Sequence, residues 1–230
     1  MRKPTVDYSK FRPSLITTPE YSHLLLLVGW IVYFALFILT ENLIPEESCH
    51  VIHNPLDDII PFCEIFLIPY VFWYFLIVIS LVYFGLYNVD SFKRLQTYII
   101  ITQLVAMAVY IIYPSCQQLR PTKLPRDNFL IDGVRLLYTL DTNTGVCPSL
   151  HCAYSFGIAS VWLREKGVSR IWKSLILFSV ILICLSTMFL KQHSVNDFLA
   201  AIPLGILAEV SVFYVIPKIS NKYPQAHNPQ

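Results

Sequence analysis

The sequence predicts an all-α polytopic membrane protein: six transmembrane helices in one bundle, with the N- and C-termini both cytoplasmic. Three observations predict it. Of 230 residues, 55% are hydrophobic and only 14% are charged, against about 25% charged in ordinary soluble domains, and the mean hydropathy is +0.56. Several stretches approach the roughly 20 apolar residues that cross about 30 Å of hydrocarbon. The basic residues are also segregated along the chain rather than spread evenly. The same composition excludes disorder, which needs low hydrophobicity and high net charge. A formal net charge of +2 lacks the concentrated basic excess of a nucleic-acid binder, so no nucleic-acid partner is expected.

The spans follow in order. Leu24 to Thr40 is the first, free of charge along its length. Ile59 to Tyr87 is too long for one perpendicular crossing and contains Pro61 and Pro69. It divides into a short interfacial piece up to Ile68 and a second span from Pro69 to Tyr87. Leu95 to Tyr113 is the third, stopped by Pro114, and Cys152 to Leu163 is a short fourth with Pro148 and His151 at its mouth. Trp172 to Leu190 is the fifth and Phe198 to Ile216 the sixth, ended by Pro217. Glu209, inside the sixth, requires a partner or a water-filled cavity.

Short cytoplasmic loops carry the Lys and Arg excess of membrane proteins. With six spans, one side collects Arg2, Lys3, Lys10, Arg12, Lys93, Arg94, Arg164, Lys166, Arg170, Lys173, Lys218 and Lys222, twelve of 17 basic residues. The other side holds Arg120, Lys123, Arg126, Arg135 and Lys191. The first outer loop, Glu41 to Glu64, has six acids and no Lys or Arg. The even number of crossings that this pattern needs is what requires the weak fourth span.

The expected organisation is a cytoplasmic segment at 1–23, one membrane domain at 24–217 and a cytoplasmic tail at 218–230. The polar lead to the first span has no small-residue cleavage site after it, so that span is expected to remain as an anchor. The expected location is the plasma membrane, with the active site on the non-cytoplasmic face. Of six cysteines, Cys63 and Cys184 fall in apolar surroundings, where a free Cys behaves as a small hydrophobe. Cys49, Cys116 and Cys147 lie in outer loops and allow a single bridge without identifying the pair. His50 and His53 read as surface residues of the acidic loop.

Three polar clusters stand at the outer ends of spans, where ionisable groups are functional candidates. They are Gln117-Gln118-Leu119-Arg120-Pro121, Cys147-Pro148-Ser149-Leu150-His151, and Ser186-Thr187 followed by Lys191-Gln192-His193 and Asp197. Pro148 suits the opening of a helix, and N–H groups around Ser149 and Leu150 would then favour an anion. Arg120 offers a planar fork for phosphate oxygens and Lys191 a point charge. His193 and Asp197, four apart, share a helix face. A carboxylate on one ring nitrogen fixes the tautomer and leaves the other nitrogen as nucleophile or base. His151 supplies a second imidazole able to protonate a leaving oxygen.

Each residue also has a plainer reading. His193 and Asp197 fit a surface pair at a helix end, Arg120 an interfacial anchor, and Pro148-Ser149 an ordinary helix start. The Trp and Tyr residues near span ends fit an aromatic belt. Cys147, His151, His193 and Asp197 would also suit zinc, although no pair has a strong zinc-site spacing.

The order and spacing of the three clusters resemble the type 2 phosphatidic acid phosphatase superfamily, which also includes bacterial acid phosphatases and vanadium haloperoxidases. Arg120-Pro121 matches the end of the family's first motif, with Tyr113 where its Lys would stand. Pro148-Ser149-Leu150-His151 matches the second. Ser186-Thr187, His193 and Asp197 match the third, with Thr187 replacing its Arg. The resemblance covers roughly residues 60–217. It implies that His193 attacks phosphorus, Asp197 orients it and His151 protonates the leaving group. Arg120 and Ser149 would hold phosphate oxygens, and Lys191 would replace one missing cation. No metal and no cofactor is expected.

The second motif, the Gln192-His193 pair, and the segments Asp57-Asp58-Ile59-Ile60-Pro61-Phe62 and Pro69-Tyr70 look closer to the branch of inositol phosphorylceramide synthases. The leading expectation is a lipid phosphate phosphatase acting on a lipid phosphate or pyrophosphate in the bilayer. The alternatives are a lipid head-group phosphotransferase and a catalytically weak protein that binds an anionic lipid.

Overall fold

The computed structural model describes residues 3–43 and 48–222, with side chains left undescribed at 41–43 and 220–222. Arg2, Glu46, Glu47 and the tail beyond Lys222 lie outside the described residues. The protein is mostly helical, and among the described residues five helical stretches are long and apolar enough to cross a membrane: Ser22–Thr40, Glu64–Tyr87, Val89–Ile112, Arg170–Phe189 and Val195–Ile219.

The first stretch is a 3-10 segment that runs into α1 (Val28–Leu43). Short α2 (Pro55–Ile59) begins with a capping box between Asn54 and Asp57. The expected interfacial piece up to Ile68 is thus α2, an extended link, and a 3-10 turn at Glu64–Phe66. From that turn, α3 (Leu67–Tyr87) and α4 (Val89–Ile112) form a hairpin around Asn88, whose side chain caps α4 through Ser91 N–H. Helix α4 starts six residues before the expected Leu95 and carries Lys93 and Arg94 on its first turns.

Three elements escaped hydropathy averaged over span lengths. They are the two-residue parallel strands β1 (His50–Val51) and β2 (Ser115–Cys116), and the amphipathic helix α5 (Phe129–Leu140). Cys49 and Cys116 form a disulfide beside the strands, which decides the pair that the sequence left open.

The residues of the expected short fourth span lie in α6 (Leu150–Arg164), the central helix. It packs on α3, α4, α7 (Arg170–Phe189) and α8 (Val195–Val210), and Cys152, Ala153, Tyr154, Ser155, Gly157 and Ala159 are buried. Its low hydropathy follows from that position: a helix surrounded by protein needs small residues for close packing rather than apolar bulk for lipid. Its 15 residues rise about 22 Å, short of the usual crossing, and it is not among the five span-length stretches. Helix α8 continues through a π-helical turn at Ser211–Val215 into α9 (Ile216–Lys222).

Gly157 lets α4 and α6 touch. A Cβ there would lie 2.4 Å from the Tyr98 ring, whose hydroxyl donates to Gly205 O of α8 at 3.0 Å. Gly157→Ala is expected to displace that ring and lower stability by about 1–3 kcal/mol, the usual cost of overpacking. Thermal unfolding in detergent measures it, and an unchanged midpoint refutes the packing account.

The bundle has two chemically different ends. At one, Tyr8 donates to Gly85 O at 2.9 Å, Asn88 and Ser91 each donate to Glu165 at 2.8 Å, and Arg164 pairs with Glu209 at 2.6 Å. That ion pair, with Ser160 Oγ donating to the same carboxylate at 2.6 Å, supplies the partner that Glu209 requires. At the other end lie the disulfide, α2, α5 and the polar clusters.

Candidate active site

Three chain reversals at this second end bring the clusters together. Helix α7 ends at Phe189, and Lys191 takes a left-handed conformation with φ 55°. That turn lets Gln192 and His193 N–H donate back to Thr187 O at 2.9 and 3.0 Å, a satisfied helix C-terminus. The next residue, Ser194, caps α8, and Asp197 completes a capping box by accepting from Ser194 N–H at 2.9 Å. The same carboxylate oxygen lies 3.2 Å from His193 Nδ1. Asp197 thus fixes both the helix start and the imidazole. Burial disfavours the His193 cation, but the hydrogen bond and charge of Asp197 outweigh it, so the His193 pKa is raised above the ordinary imidazole value.

His151 occupies the first turn of α6, its ring centroid 5.8 Å from that of His193. Trp73 at 4.0 Å and Tyr70 at 4.5 Å hold the ring from the α3 side. Its Nε2 is buried and has no hydrogen-bond partner among the described residues. Ser149 is fully buried as the N-cap of α6; its hydroxyl accepts from Cys152 N–H at 3.5 Å and its own N–H donates to Asp197 O at 3.1 Å. The expectation of an open Ser149 N–H for an anion is therefore corrected: α8 has taken it.

Arg120 is tied to the His193 loop by Gln192, whose Oε1 accepts from Nη2 at 2.6 Å and Nε at 3.1 Å. Backbone carbonyls of Tyr138, Asp141 and Thr142 accept from the same guanidinium at 3.2, 2.9 and 2.8 Å. Burial lowers its pKa from the usual value.

The Lys191 ammonium donates to Asp57 O at 2.6 Å and Ile60 O at 2.5 Å. The left-handed turn aims the side chain at carbonyls of the last turn and C-cap of α2, which have no partner within that helix. Lys191 thereby clamps α2 to the His193 loop.

Four residues of the site were not singled out from the sequence as site residues. Asp57 is 3% exposed and accepts from Ser194 Oγ at 2.5 Å, Asn54 N–H at 2.7 Å and Val195 N–H at 2.8 Å. Asp141 accepts from Tyr70 OH at 3.2 Å and Gln192 Nε2 at 3.4 Å. Burial raises its carboxyl above the usual carboxylate range, against the pull of His193, Tyr70 and Arg120. Gln192 bridges Arg120 and Asp141, and Tyr70 joins Asp141 to His151. The two places where the resemblance expects cations stay neutral: Thr187 is buried, and Tyr113 stacks on His50 at 4.1 Å.

Burial, with the adjacent charge and hydrogen bond of Asp197, pushes the Cys147 thiol up to about 12. Among the described residues no group of three or more His, Cys, Asp or Glu is arranged to hold a metal ion.

Residues 94–220, more than half of the chain, match the model of the PAP2 superfamily. The chain belongs to the PAP2 superfamily. No individual curated protein and no solved structure matches it. The matched range contains Arg120, Ser149, His151, His193 and Asp197 and leaves out Asp57 and Tyr70. The convergence in this PAP2-superfamily chain therefore draws on a strap N-terminal to the matched range. Membership identifies the class as phosphatases and related phosphotransferases, and the apolar helices identify a membrane protein.

Proposed function

We propose that the chain is an integral membrane phosphatase of a lipid phosphate or pyrophosphate, working through a phosphohistidine on His193. The observation that carries this reading is the 3.2 Å contact of His193 Nδ1 with buried Asp197, with His151 facing the same ring. Asp197 holds the proton on Nδ1, so Nε2 presents its lone pair. Nε2 attacks phosphorus, the P–O bond to the lipid breaks, and the leaving alkoxide takes a proton from His151. Water then gives its proton back to His151, attacks phosphorus and breaks the P–N bond, releasing phosphate and restoring His193. Arg120, and the Ser149 hydroxyl, hold phosphate oxygens during both steps.

The proposed topology is six crossings, with α6 as the short central one, and termini on the cytoplasmic side of a plasma-membrane domain spanning 24–217. The disulfide at the histidine end supports an oxidising, non-cytoplasmic compartment there. Lys93, Arg94, Arg164, Lys166 and Arg170 at the other end support a cytoplasmic face. The 15-residue length of α6, a rise of about 22 Å, supports a site near the opposite interface, within reach of a lipid phosphate drawn slightly below the headgroups.

Head-group transfer is favoured by one observation. Arg120 is held by Gln192, the residue before His193, and the nearby Asp141 charge offsets its own. A site so weakly cationic suits a phosphodiester monoanion better than a dianionic monoester. In that reading an alcohol replaces water in the second step.

The test offers labelled phosphatidate, prenyl pyrophosphate or phosphatidylinositol to purified protein, with and without diacylglycerol or ceramide. Released phosphate supports hydrolysis, and a new labelled lipid supports transfer. Activity identical in wild type and His193→Ala refutes both.

The acid limb of kcat/KM gives a separate check. Nucleophilic attack needs neutral His193, so the rate is expected to rise with pH through a midpoint above about 6.5, the unperturbed imidazole value. Stability runs the other way. The contribution of the His193–Asp197 pair is complete below that value and is lost as pH rises through the raised folded-state pKa. Asp197→Asn is expected to move the acid limb to lower pH; an unmoved limb shows that another group titrates there.

A further inference from the structure

Helix α5 has three faces rather than two. Ile131 and Val134 are buried, and Tyr138 packs with Val134 against Leu67, Tyr70 and Leu190. Asp132, Arg135 and Thr139 form a polar stripe, in which Arg135 pairs with Asp132 at 2.7 Å. The third face carries Phe129, Leu136 and Leu140, spaced seven and four residues apart and 87%, 59% and 77% exposed. At about 100° per residue these three side chains fall within some 40° of one another, a continuous apolar ridge on a 12-residue helix.

The height of that ridge is set by its contact with α3. Gly133 approaches so closely that a Cβ would meet Leu67 at 2.5 Å, so α5 lies against the first turn of a span-length stretch. On that turn Ile68, Val71 and Phe72 are exposed and belong to the apolar surface that a crossing presents to lipid. The ridge of α5 continues this surface, and its polar stripe lies on the other flank. Apolar residues on one flank and charged residues on the other mark a helix that lies in the plane of a membrane interface.

We infer that α5 is an interfacial helix seated in the lipid leaflet at the histidine end, with Phe129, Leu136 and Leu140 among the acyl chains and Asp132 and Arg135 in water. The occupant of its third face is therefore the bilayer itself. Its C-terminal end supplies the Tyr138 carbonyl and leads into the Asp141 and Thr142 carbonyls that hold Arg120. The depth of α5 in the leaflet thus sets the height of the guanidinium relative to the headgroups. The inference rests on the membrane character of the chain and not on the reaction assigned to its histidines.

The test needs no substrate. Leu136→Trp and, separately, Asp132→Trp are placed in the full chain in phosphatidylcholine nanodiscs. The emission added over wild type is then quenched with lipid brominated along its chains or with aqueous iodide. The Leu136→Trp increment is expected to lose about half its intensity to bromolipid and little to iodide, and Asp132→Trp the reverse. Equal iodide quenching at both positions overturns the inference. Protection at position 136 from both quenchers overturns it in favour of a second copy of the chain, which crosslinking between nanodisc-held copies then identifies. Phe129→Trp, an aromatic exchange at an exposed position, repeats the measurement should Leu136→Trp fail to fold, and the same outcomes decide it.

Discussion

Replacing His193 by alanine is expected to reduce turnover by about 10⁴-fold or more, as loss of a nucleophile does elsewhere, and to abolish acid-labile phosphate labelling of the protein. His151→Ala is expected to behave differently, because a general acid typically contributes about 10²–10⁴-fold. That contribution depends on how badly the leaving group needs a proton. A lipid alkoxide needs one, whereas p-nitrophenolate departs almost unaided. The His151→Ala deficit should therefore be large on a lipid phosphate and shrink toward wild-type rates of phosphoenzyme formation on p-nitrophenyl phosphate. His193→Ala should stay inactive on both. Rapid-quench labelling separates the two variants. Equal deficits for His151→Ala on both substrates would remove its role as acid, and the 5.8 Å ring separation would then report packing only. The distinction also bears on family membership, which gives the class of reaction but not which imidazole does which step.

How much of this was legible in the sequence depends on what carries each signal. The long spans read clearly because lipid selects bulk apolar side chains along whole helices. Helix α6 read weakly for the opposite reason: Ala153, Gly157 and Ala159 answer to neighbouring helices, and hydropathy has no term for that. Helix α5 escaped because its apolar face is divided between protein and surroundings, and because Asp132 and Arg135 interrupt any span-length average. The histidines and Asp197 were legible because their spacing is local, an i,i+4 pair and a helix start. Asp57, Asp141 and Tyr70 reach the site through contacts 137, 51 and 71 residues away in sequence, and no local pattern reports those. Lys191 adds a contact of the same kind: from a left-handed residue at φ 55° its ammonium reaches the carbonyls of Asp57 and Ile60.

Asp57 carries the second large expected effect, although it touches neither imidazole. It accepts hydrogen bonds from Ser194 Oγ and Val195 N–H, the residues between His193 and Asp197 in sequence. Its backbone carbonyl, with that of Ile60, receives the Lys191 ammonium on the other side of His193. His193 thus sits in a loop held on both sides by α2 and its C-cap. Hydrogen bonds to a charged group contribute about 1.5–3 kcal/mol each, so Asp57→Ala is expected to cost about 3 kcal/mol or more and to lower the unfolding midpoint. Asp57→Asn keeps the shape and one acceptor but turns an amide N–H toward a donor. The expected outcome is a midpoint within a few degrees of wild type, an unchanged KM, and a kcat lowered by about 10²-fold, the cost of a displacement near 1 Å. Lys191→Met releases the other end of the loop and should reproduce the kcat effect, with the acid limb of the pH profile moved as the His193–Asp197 contact loosens. A purely structural role for Asp57 predicts that activity tracks the folded fraction and that the acid limb stays in place. Turnover per folded molecule equal to wild type in Asp57→Asn would therefore remove Asp57 from the positioning of His193.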